Sequence, residues 1–193
     1  MDGKQGPRVG REGAAFAEYA DYLRDAGVTE LWGPESFRWT GEVKEVKPLP
    51  ASEGEGDIYP GLSAVKTLDG LRDFIGDCKR CKLCQGRTNI VFGVGSPEAK
   101  LAFVGEGPGR DEDIKGEPFV GRAGQLLTDI IEKGMKLMRS EVYIANVVKC
   151  RPPENRNPEE DEIAACEPFL KKQLQLIAPK FICTLGKFAT QTL

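Results

Sequence analysis

The 193-residue sequence contains no histidine. Histidine is the side chain that ordinarily titrates between pH 5 and 8, and it is a common zinc ligand. Its absence excludes a histidine-ligated zinc site and any imidazole acid or base within this chain. Long apolar runs are missing as well. No stretch approaches the roughly 20 apolar residues that span a bilayer, and the opening Met-Asp-Gly-Lys-Gln-Gly-Pro holds no apolar signal core. No membrane partner and a cytoplasmic location are therefore expected. Positive charge is not in excess either: 27 Lys and Arg stand against 30 Asp and Glu, a net charge of −3. Contact with a polyanion must then come from a local basic rim, not from bulk charge.

What is present divides the chain in two. Residues 1–65 are rich in Gly, Pro and charge and read as an extension and linker. Within them, 14–26 carries Phe16, Tyr19, Tyr22 and Leu23 at helical spacing, and 47–57 has linker composition. From 66 to 193 the pattern is that of a domain. Helical stretches are expected at 68–77, 124–137 and 158–177, with another beginning at Lys187. Apolar strands are expected at 101–104, 142–148 and 181–185. Strands alternating with helices imply an α/β fold, a parallel sheet with helices on both faces. In such sheets ligands bind beyond the carboxyl ends of the strands. The loop at Gly105 and the segment after Val148 both lie there.

Six cysteines in a chain of this kind point to metal ligation or burial more than to disulfides, because the cytoplasm is reducing. Cys78-Lys-Arg-Cys81-Lys-Leu-Cys84 places three thiols within seven residues, and Cys150, Cys166 and Cys183 follow. Four thiolates can hold one zinc ion or one iron–sulfur cluster, and spacing barely separates the two. The wide gap between Cys81 and Cys150 suits a cluster tying distant segments together. Cys84 is able to stand in for Cys78 or Cys81. Cys183 sits inside an apolar strand and reads as a small buried hydrophobe.

Three further motifs surround the predicted strand ends. Val104-Gly-Glu-Gly-Pro-Gly-Arg-Asp-Glu-Asp113 is a glycine-rich turn whose acidic residues argue against a phosphate cradle, and it matches neither the P-loop nor the dinucleotide fingerprint. Phe119, between Pro118 and Gly121 ahead of a helix, is placed either to stack on a flat ligand or to fill the core. Asn146, at a strand end, carries an amide that donates and accepts at once, so it can match the edge of a planar base. The following run, Lys149-Cys-Arg-Pro-Pro-Glu-Asn-Arg-Asn-Pro158, reads as a rigid basic loop able to touch phosphates.

Taken together, the Cys78/Cys81 pair, Gly-Glu-Gly-Pro-Gly at 105–109, Pro-Phe-Val-Gly-Arg at 118–122, Asn146 and Lys-Cys-Arg-Pro-Pro at 149–153 resemble the family 4 (iron–sulfur) uracil-DNA glycosylases, over a region running from about residue 71 to 193. The resemblance implies a three-layer α/β/α fold with a central parallel sheet. It implies a base-excision enzyme acting on uracil-containing DNA as a monomer. It further implies a 4Fe-4S cluster on Cys78, Cys81, Cys150 and Cys166. Phe119 is expected to stack on the extruded base and Asn146 to read its edge. Glu106 and Gly107 are expected to line the pocket, with Glu112 near its mouth and Asn155 taking part from the proline-rich loop. Glu106 or Glu112 is expected to orient the attacking water. The family also has a downstream His-Pro segment that this chain lacks, so the 66–193 domain is expected to be incomplete at its C-terminus. A non-catalytic iron–sulfur module and a zinc-stabilised α/β domain are the competing readings.

Overall fold

A computed structural model describes residues 58–193. The helix expected at 14–26 and the linker at 47–57 lie outside the described residues. In chain order the elements are helix α1 (Leu68–Ile75), strands β1 (Val94–Gly95) and β2 (Leu101–Gly105), helices α2 (Arg110–Lys115) and α3 (Arg122–Asp129), strand β3 (Tyr143–Asn146), helix α4 (Glu160–Ile177), strand β4 (Phe181–Thr184) and helix α5 (Lys187–Thr192).

Local chemistry sets most of these boundaries. Thr67 caps α1 by accepting the Gly70 N–H at 3.0 Å, and Gly76, with φ of +50°, ends it. At the start of α4 the Glu162 carboxylate reaches back to the Glu159 N–H at 2.8 Å. The stretch expected to be helical through Leu137 is regular only to Asp129. It then widens into a single π turn, where Met135 N–H bonds to the Ile130 carbonyl at 2.8 Å, and it closes at Lys136 with φ of +58°. Helix α2, between the glycine-rich turn and Phe119, is too short to show periodicity and was not expected.

The sheet order is β1-β3-β2-β4. Strand β2 pairs in parallel with both β3 and β4, while the two-residue edge strand β1 runs antiparallel to β3. The period of two along each strand then sorts the core. Ala102, Val104, Tyr143 and Ala145 pack with Leu71, Ile75, Phe169, Leu170 and Leu174 from α1 and α4. Phe103 and Ile144 face the other way, onto Leu127 and Ile131. Each of the larger side chains among them, such as Leu71, Phe169 and Ile144, contributes about 1.5–3 kcal/mol, so both faces need helical cover and the result is a three-layer α/β/α arrangement. Among the described residues no helix is long and apolar enough to cross a membrane.

Candidate active site

Parallel pairing brings the ends of β2 and β3 together, with Gly105 opposite Asn146. The ladder continues one step past the strands: Val147 N–H bonds to the Gly105 carbonyl at 2.9 Å and Val148 N–H to the Glu106 carbonyl at 3.0 Å. A side chain at 105 has no room. A Cβ added there would stand 2.5 Å from Asn146 Oδ1 and 2.5 Å from Phe119 Cζ. Gly105 therefore marks the point where the amide and the aromatic ring converge. At Gly107, the next glycine of the turn, an added Cβ would stand 2.8 Å from Val148 Cγ2.

Asn146 is buried, and its Oδ1 has no hydrogen-bond partner among the described residues. Leaving a buried acceptor unpaired costs about 1–3 kcal/mol. Buried polar groups are nearly always hydrogen-bonded, so an exception beside an aromatic ring marks this position as a candidate site.

Phe119 adopts φ of +55°. For a bulky residue this left-handed conformation costs on the order of 1–3 kcal/mol and persists only when its surroundings enforce it. Glu112 supplies one restraint. Its Oε1 accepts the Val120 and Gly121 N–H groups, both at 2.9 Å, and its Oε2 accepts the Gly109 N–H at 3.1 Å. Burial pushes the Glu112 carboxyl upward, but these backbone donors outweigh it and hold the carboxyl below its ordinary range. Arg139, which nothing in the sequence marked, donates to the Pro118 and Phe119 carbonyls at 2.9 and 3.0 Å.

The other expected site residues are placed differently. Glu106 is half-buried, no hydrogen bond or ion pair to its carboxylate occurs among the described residues, and burial raises its pKa. Asn155 lies on the exposed turn Pro153–Asn155, with its Oδ1 accepting from Arg151 Nε at 2.7 Å. The basic loop is less basic at its surface than its composition suggests. Lys149 is buried, donating to the Asn146 carbonyl at 2.8 Å and to Gln173 Oε1 at 2.6 Å. Burial pushes its amine down to about 8. Arg156 forms a two-pronged pair with the buried Glu162, at 2.8 and 2.6 Å. Gln173, unmarked by any motif, completes a buried chain by donating to Tyr143 Oη at 2.9 Å and to the Phe92 carbonyl at 2.8 Å.

The cysteines require a correction. Cys78, Cys81, Cys150 and Cys166 do line one cavity, together with Arg80, Arg87 and Phe169. Yet among the described residues no three Cys, Asp or Glu side chains stand where they could hold a metal ion, so the expected 4Fe-4S cluster on these four ligands does not fit this arrangement. Three of the sulfurs are instead engaged one by one with nitrogen donors: Arg80 Nη1 lies 3.4 Å from Cys78 Sγ, Arg87 Nη1 3.5 Å from Cys150 Sγ, and Lys149 N–H 3.3 Å from Cys166 Sγ. Burial pushes Cys150 up to about 11 and Cys166 up to about 12, which keeps both as neutral thiols. Cys183 packs, half-buried, against the α3 side of the core.

Comparison with known proteins follows the same motifs. Residues 92–193 match the model of the uracil DNA glycosylase superfamily. A type-4 uracil-DNA glycosylase from Sulfurisphaera tokodaii is 54% identical over 125 residues, covering 65% of this chain and 57% of the relative. One from Archaeoglobus fulgidus is 50% identical over 127 residues, 66% of this chain and 63% of the relative. Another, from Thermotoga maritima, is 52% identical over 113 residues, 58% of each. The chain thus spans about three fifths of the length of these curated relatives.

Proposed function

The chain belongs to the uracil DNA glycosylase superfamily, and from that premise we propose that it excises uracil from DNA by hydrolysing the N-glycosidic bond. The observation that carries the proposal is the buried, unpartnered Oδ1 of Asn146 set against the Phe119 ring above Gly105. A planar base entering there gains a stacking surface from Phe119 and a donor–acceptor amide from Asn146.

A base within a duplex must first be extruded, at a cost of a few kcal/mol, and the cost is smaller at a mismatched pair. The C1′–N1 bond then breaks and its electron pair leaves on the uracil ring. Donors fixed in advance around the leaving base stabilise that negative charge without reorganising. In this chain they are the Asn146 amide and the backbone N–H groups of the glycine-rich turn. Water adds to C1′ and gives up its proton, the base takes up a proton, and an abasic site remains. Of the two acidic candidates, Glu106 suits the water-orienting role because its carboxylate is unengaged. Glu112 is committed to three backbone N–H groups. On this reading the enzyme acts as a monomer in the cytoplasm. The six cysteines, none of them in a disulfide, suit a reducing compartment.

The test is direct. The full chain is incubated with end-labelled duplexes carrying one U·G pair, one U·A pair or only T·A pairs, treated with alkali and resolved on a gel. Strand cleavage confined to the uracil position is expected. Intact strands in all three arms would overturn the proposal.

A further inference from the structure

The left-handed backbone of Phe119 needs more than one restraint. Glu112 binds the two peptide N–H groups that follow it, at Val120 and Gly121, which leaves the two carbonyls at Pro118 and Phe119. Both are taken by Arg139 Nη2, at 2.9 and 3.0 Å. Arg139 is itself braced: its Nη1 donates to Thr128 Oγ1 at 2.9 Å, and the Thr128 hydroxyl donates to the Gly124 carbonyl of α3 at 2.9 Å. The start of α3 also closes on the same peptide, since a Cβ at Gly124 would lie 1.9 Å from the Phe119 carbonyl oxygen. A planar guanidinium can serve two carbonyls and a hydroxyl at once. A lysine ammonium, a point charge on a flexible stem, has no such fork.

We infer that Arg139 is a positioning residue that holds Phe119 in its left-handed conformation, and so sets the plane of the ring on which the extruded base stacks. The role of the ring rests on the uracil-excision reading above; the conformational role of Arg139 does not. Arg139 acts through Phe119, so its effect must vanish when the ring is removed. A merely structural residue would have no such dependence.

The experiment is a double-mutant cycle in the full chain. Arg139→Lys and Arg139→Gln are each made in the parent and in a Phe119→Ala background, and single-turnover uracil excision is measured for all. Because misplacing a reacting group by about 1 Å costs up to about 10²-fold in rate, each Arg139 variant is expected to slow the parent by about tenfold or more. In the Phe119→Ala background the same change is expected to alter the rate by less than about twofold. Equal losses in the two backgrounds would overturn the inference. A second readout is independent of activity: in a crystal structure of Arg139→Gln, or of Arg139→Lys if the glutamine variant fails to fold, Phe119 is expected to leave the left-handed region. Phe119 remaining near φ of +55° would overturn the inference. A parent chain inactive on uracil-containing duplexes would sink the excision reading, and the crystal structure would then decide the role of Arg139.

Discussion

Replacing Gly105 with alanine should cripple the site while leaving the sheet intact. The backbone at 105 lies outside the left-handed region, so alanine meets no conformational barrier there. The obstacle is space. The new methyl group would stand 2.5 Å from Asn146 Oδ1 and from Phe119 Cζ, and 2.7 Å from Phe119 Cε2, whereas ordinary contact begins at 3.4 Å. Amide and ring must each retreat by roughly 0.9 Å, the difference between those two distances. Neither moves freely: Asn146 is buried, and the backbone of Phe119 is tied to Glu112 and Arg139. Overpacking of this kind costs about 1–3 kcal/mol of stability. A displacement of about 1 Å in the groups that hold the reacting base costs up to about 10²-fold in rate. Single-turnover excision of a U·G duplex, beside thermal melting of the same protein, measures both. A Gly105→Ala enzyme that folds and keeps a rate within about twofold of the parent would refute the reasoning, because the methyl group would then be sitting where a base has to fit.

Other perturbations separate function from stability. Asn146→Ala should reduce excision by about 10²–10³-fold, as loss of an oxyanion-type donor does, yet leave the melting temperature unchanged or slightly higher, since it removes an unpaired buried acceptor. Glu112→Gln should destabilise the protein by about 1–3 kcal/mol at neutral pH, by weakening three charge-assisted bonds to backbone N–H groups; denaturant titration would show it. The folded carboxyl of Glu112 lies below its unfolded value, so its stabilisation is full above that value and is lost as pH falls through the folded one. The acid side of the parent's stability curve, below about pH 4, should therefore flatten in Glu112→Gln. Glu106 runs in the opposite sense. Burial raises its pKa, so the ionised form accumulates only above the ordinary carboxylate range near about 4.3. The acid limb of the excision rate should lie above that range and disappear in Glu106→Gln, and a pH–rate profile unchanged by the substitution would remove Glu106 from the water-orienting role.

Much of the layered architecture was legible in local pattern. The apolar runs at 101–104 and 142–148 mark strands because a buried sheet demands near-continuous apolar side chains; the run at 181–185 marks a third, edge strand that is exposed or half-buried along its length. The placement of Asn146 and of the glycine-rich turn at the strand ends followed from that alone. Composition misled where it stood in for geometry. Lys149 counts toward a basic loop in sequence, but its side chain turns inward to Asn146 and Gln173. Close cysteine spacing shows which thiols can be neighbours, not whether their sulfurs aim at a common point, and here three of the four engage separate nitrogen donors.

Short-range rules therefore settled the strands, most of the helices and the motif set that identifies the superfamily, because periodicity, caps and glycine turns act over a few residues. Long-range contact settled the rest. Arg139 reaches Phe119 across 20 positions, Gln173 reaches Lys149 across 24, and the orphaned amide of Asn146 meets the Phe119 ring only once β2 and β3 lie side by side. Such contacts leave no periodic trace in the chain, since each depends on where distant backbone segments are brought by packing of the sheet.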